Sequence, residues 1–327
     1  MKTVSAILAL ASLPAFPQED YRVEEGKGAI RRTLHLEREA LALEASPDGK
    51  RLALGVRGKV LVVEFADGKL VSTLETGRGA IRGLAFSPDG KQLGVAAIGG
   101  VSLIDIESGK VLWKAVGHPS SMKGGEGAYG VAFTTDGSEL LTVSVDDPNL
   151  RCWSAKDGAA GKVVDTKTEP RRIAVSGDLV AISSSSEVQM YGKELVQAWK
   201  ARVRLAGGLA FAPGGGRLAV GVTGQNAGVE SFDSATGKRG GRIDFAGSGA
   251  LAGVAWTPDG KALVTAAARA GGVKLWTTGK EAEGPTADLD PAFRANEDAD
   301  RAAVVGLGGK AAAVAGREKQ VRIYSLP

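Results

Sequence analysis

The residues that could do chemistry are few. There are two histidines, His35 and His118, and one cysteine, Cys152. A lone cysteine excludes an intrachain disulfide and a CxxC zinc site, and two histidines leave little for a histidine-rich metal centre. Gly125-Glu126-Gly127-Ala128-Tyr129-Gly130 has the spacing of a dinucleotide-binding glycine motif. That chemistry needs a preceding strand and a following helix to cradle a pyrophosphate. Here the motif leads into the apolar run Val131-Ala132-Phe133, so it reads as a loop. Asn296-Glu297-Asp298-Ala299-Asp300 opens like a calcium loop. Its sixth position is Arg301 rather than glycine and its twelfth is Leu307 rather than glutamate, so it reads as a solvated acidic loop. No serine stands in GxSxG and no GxxxxGK[ST] occurs, so neither a nucleophile elbow nor a phosphate loop is present. No cofactor is expected.

The elements that must carry these residues repeat along the chain. Ser46-Pro47-Asp48-Gly49-Lys50 recurs as Ser87-Pro88-Asp89-Gly90-Lys91 and Thr257-Pro258-Asp259-Gly260-Lys261. Weaker copies lie at Thr134-Thr135-Asp136-Gly137, Ala212-Pro213-Gly214-Gly215, Ser176-Gly177-Asp178 and Leu307-Gly308-Gly309-Lys310. Each is a tight turn, with proline pre-setting φ and glycine accepting positive φ. An apolar run precedes each turn, as in Leu84-Ala85-Phe86 or Val254-Ala255-Trp256, and another follows, as in Leu218-Ala219-Val220. These pairs read as buried hairpins. A third, alternating strand follows, beginning at Val60, Val101, Leu150, Val188, Val229, Val273 and Val321, spaced 41, 49, 38, 41, 44 and 48 residues apart. A more polar fourth strand comes after it, as in Leu70-Val71-Ser72-Thr73-Leu74. Gly83, Gly130, Gly208 and Gly253 recur at one position of the first strand, where small residues suit convergence of several strands.

Four strands per repeat of about 42 residues, written seven times, predict an all-β fold: a seven-bladed β-propeller of four-stranded antiparallel blades. The last repeat ends at Pro327, after its third strand. Ile30-Arg31-Arg32-Thr33-Leu34 looks like an outer strand, so residues 29–36 are expected to complete the last blade and close the ring. Closure removes exposed sheet edges. On its turns and third-strand endings the chain resembles the WD-repeat β-propeller family over nearly all its length, as an exported, bacterial-type member with degenerate repeats. The family's usual Trp-Asp ending is here Val63-Glu64, Ile104-Asp105, Trp153-Ser154, Tyr191-Gly192, Phe232-Asp233, Trp276-Thr277 and Tyr324-Ser325. The aromatic is mostly kept and the aspartate mostly lost.

That resemblance implies two constellations. One is a buried Asp–His–hydroxyl–Trp network, for which His118, Asp147 and Trp153 are in place with Ser144 or Thr142 as the hydroxyl. The insertion from Pro119 to Ala128 separates His118 from its strand. No other blade has a histidine at the corresponding place, and the others are expected to rely on apolar packing. The second constellation is a binding face, onto which the family's loop layout maps Arg57, Arg78, Arg82, Tyr129, Arg171, Arg172, Arg204, Arg269 and Arg317. Acidic Asp146, Asp147, Glu169, Asp290, Asp298 and Asp300 map there too. Arginine and tyrosine are enriched at binding hot spots. The implied function is a non-enzymatic interaction scaffold, monomeric, holding a protein or peptide partner on one face. The alternatives are a propeller enzyme of lactonase or hydrolase type, which needs converging carboxylates or histidines at the axis, and a sugar- or small-ligand-binding propeller, which needs aromatics there.

Composition and the first residues bound the setting. The chain has 327 residues, 43% hydrophobic and 24% charged, enough for a large core. Its 47 glycines are about twice the usual ~7% and favour turn-rich β structure. A net charge of +4 without a concentrated basic stripe argues against a nucleic-acid partner. Residues 1–15, with Lys2 before an apolar stretch from Val4 to Leu13, have the layout of a signal peptide cleaved after Ala11 or Ala15. This implies export to the periplasm or medium. The stretch is too short to span a bilayer, and no integral membrane span is expected. Residues 16–28 read as a polar leader and 29–327 as the propeller.

Overall fold

The computed structural model describes residues 21–119, 127–204, 206–224, 227–244, 251–267, 272–279, 285–295, 303–306 and 310–327. The signal segment therefore lies outside the described residues. The architecture is all-β, built from repeated four-stranded antiparallel sheets. No described helix is long and apolar enough to cross a membrane.

The strands run β1 (Tyr21–Glu25), β2 (Ile30–Leu36), β3 (Ala42–Ala45), β4 (Arg51–Gly55), β5 (Arg57–Glu64), β6 (Leu70–Phe86), β7 (Gln92–Ala97), β8 (Gly100–Asp105) and β9 (Val111–Ala115). Then come β10 (Gly130–Phe133), β11 (Glu139–Ser144), β12 (Asp147–Ser154), β13 (Ala160–Asp165), β14 (Arg172–Ser176), β15 (Leu179–Ser183), β16 (Glu187–Tyr191) and β17 (Gln197–Arg202). The rest are β18 (Ala206–Phe211), β19 (Arg217–Val222), β20 (Gly228–Asp233), β21 (Arg239–Asp244), β22 (Leu251–Trp256), β23 (Ala262–Ala267), β24 (Val273–Thr277), β25 (Ala287–Asp290), β26 (Ala303–Gly306), β27 (Ala311–Ala315) and β28 (Gln320–Ser325).

Consecutive strands form the four-stranded sheets β10–β13, β14–β17, β18–β21 and β22–β25. Strands β3–β9 form one seven-stranded sheet, because β6 serves twice. Its first part, Leu70–Glu75, pairs with β5 and its last part, Ile81–Phe86, with β7. The sequence pattern separated these as an outer and an inner strand. The residues between them stay extended, held where Thr76 Oγ1 donates to the Gly58 carbonyl at 2.8 Å and Lys114 Nζ to the Thr76 carbonyl at 3.0 Å.

The remaining sheet joins the two ends of the chain in the order β1-β2-β28-β27-β26. Thr33 stands opposite Arg322, Leu34 opposite Val321 and His35 opposite Gln320. Residues 21–25, read from sequence as part of a polar leader, form strand β1 on the outer edge of β2. Their side chains are mostly exposed, so no apolar alternation marked them as a strand. His35 is a structural outer-strand residue, its Nε2 lying 2.9 Å from Glu24 of β1.

The Ser-Pro-Asp-Gly turns explain themselves. Ser87 Oγ donates to Asp89 Oδ1 at 2.6 Å, Lys91 N donates to the same oxygen at 3.0 Å, and Gln92 N donates to Ser87 Oγ at 2.9 Å. Gly90 takes a φ of 70° to close the turn. Ser46–Asp48 and Thr257–Asp259 repeat the arrangement. Hydrogen bonds from the hydroxyl, and then from the backbone, hold the Asp48, Asp89 and Asp259 carboxyls below the usual range.

The core lies between successive sheets. Val60, Val62 and Leu74 pack on Leu84, Phe86 and Leu93; Leu103 and Trp113 pack on Phe133 and Leu140; Val188 and Met190 pack on Leu218 and Phe232. One larger cluster joins Leu34, Leu52, Phe65, Val273, Ala313, Val321 and Ile323, so the sheet uniting the termini packs on both its neighbours. The first strands contact one another in succession: β3 with β6, β6 with β10, β10 with β14, β14 with β18, β18 with β22, β22 with β26, and β26 with β3.

Candidate binding surface and buried polar network

Arg82, Tyr129 and Arg171 occupy one register position. Each stands five residues before the equivalent turn residue, namely Ser87, Thr134 and Ser176. In β6 the ladder skips from Ile81 to Gly83, making Arg82 the extra residue of a β-bulge. The same skip occurs in β18 and β22, where the sequence has Gly207 and Ala252. Bulges re-aim a side chain out of the pleat. The three strands approach closely here. A Cβ on Gly83 would lie 2.8 Å from the Tyr129 carbonyl oxygen, and one on Gly130 would lie 3.3 Å from that of Arg171. Close approach of a neighbouring backbone thus calls for glycine at Gly83, while at Gly130 the tightest neighbours are the Val143 and Ile173 side chains, at 2.8 and 3.1 Å from such a Cβ.

Arg82 Cζ lies over the Tyr129 ring, 5.4 Å from its centroid. Such a cation–π contact is worth about 0.5–1 kcal/mol at exposed sites. The Nε atoms of Arg82 and Arg171 are buried and, among the described residues, have no hydrogen-bond partner. An unsatisfied buried donor costs about 1–3 kcal/mol. Both side chains are only partly buried as a whole. The arrangement therefore offers two donor-only groups at the starts of neighbouring strands, one of them over an aromatic ring, with unsatisfied hydrogen-bonding capacity.

Other members of the expected arginine face divide. Arg57, Arg204 and Arg317 are exposed. Arg172 is buried, 6% exposed, because strand alternation turns it inward next to outward-facing Arg171, so it leaves the candidate surface. Arg78 lies on β6 with its side chain outside the description, and Arg269, Asp298 and Asp300 lie outside the described residues. So do Gly125, Glu126 and the acidic run 296–300. Asp147 and Asp290 are corrected from surface to interior positions. Asp290 Oδ2 accepts from Arg322 Nη1 at 2.7 Å and from the Tyr324 hydroxyl at 3.1 Å, and its Oδ1 accepts from Phe293 N. Asp146 and Glu169 are half-buried and exposed respectively.

The buried network forms around His118, with Thr142 rather than Ser144 supplying the hydroxyl. Trp153 Nε1 donates to Thr142 Oγ1 at 2.8 Å, and Thr142 Oγ1 lies 2.9 Å from His118 Nε2. His118 Nδ1 lies 2.8 Å from Asp147 Oδ2, which also accepts from Arg151 Nε at 2.9 Å. The bonds fix the tautomer: Nδ1–H donates to the carboxylate and Nε2 accepts from the threonine hydroxyl. Ser144 is buried beside this chain and stands opposite Asp147 in the ladder. The insertion that separates His118 from its strand is pinned at its ends. Gly127 N donates to the His118 carbonyl at 3.0 Å and His118 N to that of Gly127 at 3.3 Å.

Burial holds the His118 imidazole below its usual pKa, against the opposing pull of its bond to Asp147. For Asp147, burial works upward, but donors from Arg151, His118 and Asn149 outweigh it and hold the carboxyl low. The network is thus neutral histidine against ionised aspartate, with its polar groups bonded. It has no solvent-facing nucleophile, and His118 is 0% exposed. The expectation that other sheets lack such bonds is corrected in part. Trp276 Nε1 donates to Thr265 Oγ1 at 2.8 Å, half of the same motif without the histidine. Cys152 is buried, which pushes its thiol up to about 12.

At the opposite ends of the first strands lies a cavity of about 540 Å³, walled by Phe86, Phe133, Phe211 and Trp256. At the position filled by Ala85, Ala132, Ala174, Ala210 and Ala255 in five sheets, β3 carries Glu44, the one ionisable side chain among the described residues that line it. Among the described residues, no group of three or more His, Cys, Asp or Glu side chains is placed to hold a metal ion.

Fold and site together define a class: an all-β protein of repeated four-stranded sheets with a guanidinium-flanked aromatic at the start of its first strands. Beyond that class, the chain matches no family model and no curated protein.

Proposed function

We propose that the chain is a closed, seven-bladed β-propeller acting as an exported, non-enzymatic scaffold that holds a protein partner on one face. Counting the seven-stranded sheet as two four-stranded sets that share β6, there are six sets, and β26, β27, β28 and β2 form the seventh. The succession of contacts among first strands, returning from β26 to β3, supports a ring. The resemblance to WD-repeat propellers and the signal-like first residues add scaffolding and export to that reading.

The observation that carries it is the Arg82–Tyr129–Arg171 constellation at one level of three adjacent first strands. Arginine and tyrosine at such a position form a compact anchor for a partner. Reversal of both charges, R82E with R171E, is expected to abolish capture of a specific partner from the organism's own envelope extract. Retention of every partner by that variant would reject the surface.

A second reading has its own observation. The cavity walled by Phe86, Phe133, Phe211 and Trp256 falls within the 300–1,000 Å³ typical of small-ligand pockets. It favours a small molecule held against the aromatic walls, with Glu44 as a polar contact.

A further inference from the structure

We propose that the chemical group taken by the arginine surface is a carboxylate: an acidic segment of a protein partner, with glutamate or aspartate side chains seated against Arg82 and Arg171 across the Tyr129 ring. This rests on the scaffold reading above and names the chemistry of the partner.

Four observations carry it. The two guanidinium groups share a register position on strands that flank the one bearing Tyr129, and those strands contact one another in turn. Their Nε atoms lack partners among the described residues. A guanidinium Nε–H and the adjacent Nη–H form an edge of two parallel donors, which matches the two oxygens of a carboxylate. Other arginines of the molecule already donate to carboxylates: Arg242 to Glu230 and Asp244, Arg151 to Asp147, and Arg322 to Asp290. The last two pairs also remove from the surface the aspartates that sequence mapping had placed beside these arginines.

The backbone separates a carboxylate from a phosphate. Phosphate sites are usually lined by free backbone N–H groups that wrap a tetrahedral anion. Here the N–H of Tyr129 donates to the Val143 carbonyl at 2.9 Å, and that of Arg171 to the Ser183 carbonyl at 2.8 Å. What remains is planar donors around a planar ring. That suits a planar anion on a methylene stem, whose apolar part can lie on the Tyr129 face.

The test is fluorescence anisotropy with the full chain and a labelled hexaglutamate peptide, with hexaglutamine and hexalysine as comparison peptides. Hexaglutamate should bind, weaken as salt rises, and lose about tenfold in affinity or more with R82Q or R171Q. R82K keeps the charge and loses the donor edge, and should also bind more weakly than the native chain. K261Q, on an exposed turn at the other ends of the strands, should change nothing. Thermal melts of each variant keep loss of folding apart from loss of binding, and R82K, the mildest change, decides if the glutamines unfold the chain. Equal binding of hexaglutamate and hexaglutamine, or full binding by the R82Q/R171Q double variant, would overturn the proposal. Displacement by inorganic phosphate at concentrations where chloride has no effect would reassign the site to phosphate and overturn it too. If R82E/R171E loses an envelope partner that hexaglutamate does not displace, the carboxylate assignment fails while the surface stands. If no partner is lost, the surface itself fails.

Discussion

Thr142 receives one hydrogen bond, from Trp153, and gives another, to His118, so removing its hydroxyl strands two buried groups. Each costs about 1–3 kcal/mol. Thr142→Val should therefore destabilise more than Thr265→Val, which removes the bond from Trp276 Nε1 and a longer one to the Lys274 carbonyl at 3.5 Å but involves no histidine, by a margin of about 1–3 kcal/mol in chemical denaturation. Equal losses would show that His118 gains nothing from Thr142. The pH dependence has a definite sign. His118 is held below its usual value of about 6.5, so beneath that pH the unfolded chain takes up a proton that the folded chain refuses. Its contribution is complete above about pH 6.5 and declines as pH falls toward the folded value. Asp147, also held low, acts in a separate window below about pH 4. The melting-temperature gap between the native chain and His118→Asn should thus narrow from pH 7.5 to 5.5. A constant gap would contradict a neutral, buried His118. Sequence spacing found His118, Asp147 and Trp153 but left two hydroxyls open. Spacing cannot decide between them, since Thr142 and Ser144 are two residues apart on one strand; the placement of Trp153 Nε1 and His118 Nε2 against Thr142 Oγ1 does.

At the scale of elements, turns and strand runs were legible because proline, glycine and alternation each act locally. The described turn copies, the third strands and the strand near residues 29–36 lie where those signals put them, while the copy at 307–309 lies outside the described residues. Strand β1 was not legible, because Arg22, Glu24 and Glu25 alternate with nothing apolar but Val23. Its anchor is a long-range contact: the Tyr21 hydroxyl donates to the Gly68 carbonyl in a neighbouring sheet, and burial raises its pKa. The shared position of Arg82, Tyr129 and Arg171 was in the sequence, five residues before each turn, but a β-bulge at Arg82 breaks strict alternation and hides which way the side chain faces. The close backbone approach gives an element-level prediction. Gly83→Ala places a methyl carbon 2.8 Å from the Tyr129 carbonyl oxygen and should destabilise by about 1–3 kcal/mol, whereas Gly177→Ala has no contact to offend and bears only the cost of its positive φ. Thermal melts that rank Gly177→Ala as far the worse would contradict the crowding. Leu34, 0% exposed on β2, should cost about 2–5 kcal/mol on truncation to alanine if β2 is integral to the last sheet.

At the scale of the whole molecule, the described cores lie between successive sheets, and the sheet that joins β2 to β28 packs on the sheets either side of it. A chain arranged this way has a mutual dependence that an open array lacks: loosening β2 exposes the edge of β28 and uncovers Phe65 and Leu52 in the first sheet. In the proposed ring the arginine surface and the aromatic cavity lie at opposite ends of the same first strands, so one disk would present two chemically different faces. Pairing of the two ends is the feature on which the ring, and with it both faces, depends. It is tested most directly by placing cysteines at His35 and Gln320, which stand opposite each other in the β2–β28 ladder. Cys152 is buried with a raised pKa and does not compete. Mild oxidation of H35C/Q320C should give a monomeric chain two hydrogens lighter by intact mass, with faster mobility on a non-reducing gel and a higher melting temperature. Two free thiols on a folded chain, or a disulfide that joins separate chains, would contradict the closed ring.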